Sequence, residues 1–129
     1  MMYQDDYVMR QIQMMVHAIA RVVLGRGTIP CAQVFEWEAA AAPDRPAAEL
    51  KKLIDEKRIG AAEDLLFEYL AAEIPGGLAL AVGFYEWLNA LADGELRLGG
   101  FSRAEISLGL RDAALKCGID PSALSGGCG

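Results

Sequence analysis

Histidine is nearly absent: the chain has one, His17. Nucleophilic or general acid–base catalysis needs a reactive group held beside a base and a group that orients it, and His17 has no visible catalytic partner. Basic residues are also scarce, with 12 Lys and Arg against 18 Asp and Glu, a net charge of −6 and a pI near 4.7. Phosphate backbones and anionic lipid are held by clustered Lys and Arg; no such cluster occurs, which argues against nucleic-acid and membrane partners. Three cysteines, Cys31, Cys117 and Cys128, are odd in number and widely spaced. They fit neither a disulfide framework nor a four-ligand zinc site. They read as free thiols, Cys117 packed at a helix end and Cys128 exposed in the tail. Long apolar runs are missing as well. The longest uncharged stretch, Ile74 to Tyr85, is broken by Pro75, Gly76 and Gly77 and falls short of the ~20 residues that span a bilayer. At the N-terminus Asp5 and Asp6 precede any apolar stretch, whereas a secretory leader opens with positive charge. The expected location is cytoplasmic.

What is present is a chain that is 53% hydrophobic and 23% charged over 129 residues, enough apolar surface to order one domain and too little length for two. The expected organisation is a single all-α domain over residues 1–121 and a flexible Gly-rich tail over 122–129. From Asp5 to Leu24, Val8, Ile12, Met15, Ile19 and Val22 recur at 4-3-4-3 spacing, one apolar stripe of a helix, while Arg10, Gln13, His17 and Arg21 occupy the other face. Gly25 and Gly27 end it. A short helix follows within Thr28–Ala42, opened by Pro30 and turning Val34, Phe35 and Trp37 inward. Pro43 and Pro46 break the chain into a loop.

Ala47–Arg58 and Ala61–Glu73, separated by a stop at Ile59-Gly60, form an antiparallel helix pair. In the second, Ala62, Leu65, Leu66, Tyr69 and Leu70 make the buried stripe, and Glu63, Asp64, Glu68 and Glu73 face water. Leu78–Ala92 carries a single charge, Glu86, and is apolar nearly all round, the mark of a buried helix. Its Ala79 and Gly83 leave room for a neighbouring helix. The chain then loops through Asp93-Gly94 and Gly99-Gly100. Ser102 and Glu105 spell a capping box, with Phe101 placed to staple onto Ile106. That last helix runs to about Cys117, ended by Gly118, with Pro121 beyond. The fold class expected is an all-α bundle of five to six helices with repeat-like antiparallel hairpins.

No motif for chemistry survives this reading. The carboxylates of Asp55-Glu56 and Glu63-Asp64 diverge on their helices, and no Glu-x-x-His pair accompanies them. Gly76-Gly77 and Gly99-Gly100 match no phosphate-binding loop. No catalytic residue, metal or cofactor is expected, and the chain is read as not an enzyme. Two binding features remain. The methionines Met1, Met2, Met9, Met14 and Met15 give the first helix a soft surface that adapts to a partner, and its stripe of Val8, Ile12, Met15, Ile19 and Val22 is the candidate interface. The aromatics Tyr69, Phe84 and Trp87 are the candidate lining of an apolar pocket.

Two likenesses carry further. Gly60, Ala62, Leu66 and Pro75 resemble the second helix of a tetratricopeptide repeat. Val82-Gly83 is similar to the Leu-Gly pair of its first helix, with Glu86 where that repeat places an aromatic. More extensively, Gln4-Asp5-Asp6-Tyr7-Val8-Met9-Arg10-Gln11-Ile12, Gly60-Ala61-Ala62-Glu63-Asp64-Leu65-Leu66-Phe67, Phe84-Tyr85-Glu86-Trp87-Leu88-Asn89 and Phe101-Ser102-Arg103-Ala104-Glu105-Ile106 resemble a family of small bacterial all-helical proteins of unknown function. That resemblance implies an all-α bacterial protein and transfers no catalytic residue. The function expected is a protein–protein interaction module, self-associating through its N-terminal helix, with an apolar-ligand-binding helical protein as the alternative.

Overall fold

The computed structural model describes residues 2–25, 29–121 and 123. Gly27, Cys128 and the rest of the tail assigned to 122–129 apart from Ala123 lie outside the described residues, as do Met1 and the side chains of residues 2–5. Among the described residues there are seven α-helices and no strand: α1 (Met2–Val22), α2 (Cys31–Ala41), α3 (Pro46–Asp55), α4 (Ile59–Ala71), α5 (Gly77–Asn89), α6 (Asp93–Leu98) and α7 (Arg103–Lys116). The all-α class stands, with a helix more than the upper count expected. The addition is α6, six residues with Leu96 as its one buried side chain, inside the span read as loop.

α5 is the hub. It packs against α1, α2, α3, α4 and α7, and Leu80 to Glu86, Leu88 and Asn89 are all buried. Buried side chains from all seven helices share this core. Gly83 sets the closest approach: a Cβ there would lie 2.8 Å from the Cys31 carbonyl oxygen and 2.9 Å from Phe35 Cβ, so α2 crosses α5 at backbone contact. Phe35 then meets the Phe84 ring edge-on, with ring centres 6.3 Å apart.

The helix ends follow local chemistry. Ser102 accepts from the Glu105 backbone N–H at 3.2 Å, and the Glu105 side chain accepts from the Ser102 N–H at 3.0 Å, the capping box read from sequence. Gly118, at φ +83°, closes α7 with Gly118 and Ile119 N–H donating to Leu115 and Ala114 carbonyls, the Schellman arrangement. Lys57 and Glu73 hold the same left-handed position after α3 and α4, at φ 63° and 54°. That corrects the stop placed at Ile59-Gly60: the reversal occurs at Lys57, and Ile59 is the buried first residue of α4. Two other expectations are corrected. Trp37 is 52% exposed, because Phe35 takes the inward position on α2. Cys117 is exposed at the C-terminal cap of α7, beyond the last buried turn.

Candidate functional site

The most polar part of the interior lies on α5, where Tyr85, Glu86 and Asn89 are each at most 8% exposed. A buried polar group without a partner costs free energy, and the three reach across to α1, α2 and α4. Glu86 faces α1 and α2. Its carboxylate accepts from Gln13 Nε2 at 2.7 Å and from the Ala32 backbone N–H at 2.9 Å. Pro30 stands at the N-cap of α2 and supplies no side-chain cap, so Glu86 satisfies an orphan N–H of that helix from across the core, where the helix dipole favours a negative charge. Asn89 Nδ2 donates to the Met9 carbonyl at 3.1 Å.

Tyr85 donates to the Glu63 carboxylate at 2.6 Å, beneath Gly109 of α7, where any Cβ would run into both groups. Glu63 was expected to face water; it is half-buried and turned inward. Burial pushes its carboxyl above the ordinary value of 4.5, opposed by the Tyr85 hydrogen bond and reinforced by Glu105, Asp64 and Asp112. Burial and the same carboxylate push the Tyr85 phenol well above its ordinary range. A carboxyl raised on folding contributes stability that is complete below the unfolded value of 4.5 and is lost as pH rises through the folded value. Glu63→Gln, which keeps an acceptor for Tyr85 without the charge, is therefore expected to unfold at a higher temperature than the parent at pH 7. The difference should close below pH 4.5. Thermal melts of both proteins across this range measure it, and an equal or lower melting temperature for Glu63→Gln at pH 7 would show that the charged hydrogen bond outweighs burial.

None of these pairs forms a reactive constellation. His17 is exposed on α1, 3.2 Å from Gln13 Nε2, and no group of three His, Cys, Asp or Glu among the described residues is placed to hold a metal ion. The candidate pocket residues are dispersed. Phe84 is fully buried, Trp87 is half-buried against Phe35 with Lys51 Nζ 5.2 Å above its ring, and Tyr69 lies on α4. Three clefts of about 510, 160 and 470 Å³ are lined by other residues. The last opens over Glu86 and Asn89, between Met9, Arg10 and Gln13 of α1 and Pro30 and Ala32.

The candidate interface divides. Ile12 and Ile19 are fully buried in their own chain, Val8 and Met15 are half-buried, and Val22 is 66% exposed. Ile12 and Ile19 thus belong to the core that α1 shares with α5 and α7 and are out of a partner's reach. A second stripe takes the surface position. Tyr7, Gln11, Met14, Ala18 and Val22 recur at spacings of four, three, four and four, and none is charged. Tyr7 is 62% and Met14 65% exposed. On α7, packed beside α1, Leu108 and Leu115 are also exposed. The sequence contained this signal, since Tyr7 and Met14 stand one residue before Val8 and Met15, and the stronger inner stripe masked it. No helix among the described residues is long and apolar enough to cross a membrane. Neither a curated protein nor a solved structure matches the chain. The model of a family of unknown function, DUF6483, matches residues 2–118, and the chain belongs to that family.

Proposed function

We propose that this chain is a cytoplasmic, non-enzymatic protein–protein interaction module that self-associates through the outer stripe of α1. The observation that carries this reading is the uncharged outer series Tyr7, Gln11, Met14, Ala18 and Val22, exposed except at half-buried Ala18, on a helix whose inner stripe is already occupied by its own core. A surface helix needs one apolar face toward its own core and keeps the other polar. An outer face carrying Tyr, Met and Val at near-heptad spacing is suited to a second helix. Leu108 and Leu115 of α7, a helix that packs on α1, are exposed as well. The non-enzymatic reading rests on the sequence, in which the lone histidine has no visible catalytic partner.

Native mass spectrometry with thiols reduced tests the reading. The parent is expected as a dimer and Met14→Lys as a monomer with the same helical circular dichroism, because Met14 is exposed and its replacement leaves the core intact. A parent that is monomeric at micromolar concentration would overturn self-association.

A further inference from the structure

Resting on that self-association, we propose that the two copies of α1 pair antiparallel and cross near Met14, so that the Tyr7 end of one outer stripe lies against the Val22 end of the other. Charges flanking the stripe decide the direction. Asp6 lies at its start, and Arg10 and Arg21 lie along the adjoining face, all exposed. All three lie on the same flank of the stripe, and in a parallel pair in register that flank faces the opposite flank of the second helix, so Asp6 of one copy never meets Arg21 of the other. Reversing one copy about Met14 brings Asp6 and Tyr7 of each chain level with Arg21 of the other. A carboxylate then meets a guanidinium, and the same guanidinium can stack on the Tyr7 ring. Arg10 moves level with the second copy's Ala18, away from its own counterpart. The arrangement is self-complementary, as a two-fold contact requires, and it opposes the two helix dipoles favourably. Gln11 Nε2 donates to Tyr7 Oη at 3.1 Å within the same helix, tying the ring to the stripe.

Cross-linking reads the direction directly. Tyr7 and Val22 are about 22 Å apart along the helix axis, so a short bis-maleimide separates the two orientations. In a full-length chain with Cys117→Ser and Cys128→Ser, leaving only buried Cys31, Tyr7→Cys and Val22→Cys proteins are treated alone and mixed. The expected result is a covalent dimer in the mixture, little in either protein alone, and self-linking by Met14→Cys. Self-linking by Tyr7→Cys and by Val22→Cys, each alone, would show parallel helices and overturn the inference while leaving self-association standing. A dimer by native mass that links in no combination would place the contact off α1 and overturn both. A monomeric parent would remove the reading on which the inference rests.

Discussion

Arg103→Ala is expected to lower the free energy of unfolding by about 3–5 kcal/mol, near the cost of stripping a buried charge network of one member. Arg103 is 5% exposed and opens α7 directly after its capping residue. Nη1 donates to the Asn89 carbonyl at 2.8 Å and to Asn89 Oδ1 at 3.3 Å, and Nη2 donates to the Leu91 carbonyl at 2.8 Å and to Asp93 Oδ1 at 2.9 Å. Asn89 is the last residue of α5 and Asp93 the first of α6, so one guanidinium satisfies carbonyls left open where α5 ends and ties three helices together. Removing it strands those carbonyls away from water. The planar fork reaches several acceptors at once, which an ammonium cannot, so Arg103→Lys should recover only part of the loss. Arg103→Met separates hydrogen bonding from packing: it fills similar volume, and stability close to the parent's in urea titration would show that the carbonyl bonds contribute little.

That network marks where sequence reasoning runs out. A charged residue at the first position of a helix normally faces water, and nothing near Arg103 in the chain shows that the end of α5 comes to rest against it. The same holds for Tyr85 and Glu63, which are 22 positions apart, and for Glu86, which caps a helix beginning at Cys31. Each needs a tertiary approach that local periodicity does not encode. Signals held within one or two turns were legible: the Ser102–Glu105 capping box, the glycine stop at Gly118, the all-round apolar character of α5 and the room left by Gly83. α6 was hidden because it opens on Asp93-Gly94, is followed by Gly99-Gly100 and buries only Leu96 of its six residues, a pattern shared with a polar loop. On α1 the difficulty was different. Periodicity identifies Val8, Ile12, Met15, Ile19 and Val22 as one stripe, but a stripe is equally apolar whether its own chain or a second one covers it.

Ile12→Asp combined with Ile19→Asp is expected to unfold the chain, and the comparison with Met14→Lys separates the two faces of α1. Both isoleucines are fully buried, on the side of α1 that packs against α5 and α7, where a carboxylate is cut off from water. Each replacement loses the apolar burial of an isoleucine and strands a charge or forces its protonation, a cost on the order of 4–5 kcal/mol apiece. The total stability of a domain this size is roughly 5–15 kcal/mol, so the pair consumes most or all of it. Circular dichroism should show lost helix, and amide exchange should lose its slowest protons. Met14→Lys changes a residue two positions from Ile12 on the opposite side of the same helix, and its expected effect is confined to mass. If the double isoleucine variant instead remained folded and became monomeric, the inner stripe would be the association surface, and α1 would have to leave its own bundle to serve it. Folded monomers from Met14→Lys together with unfolded chains from the isoleucine pair would assign the fold to one face of α1 and association to the other.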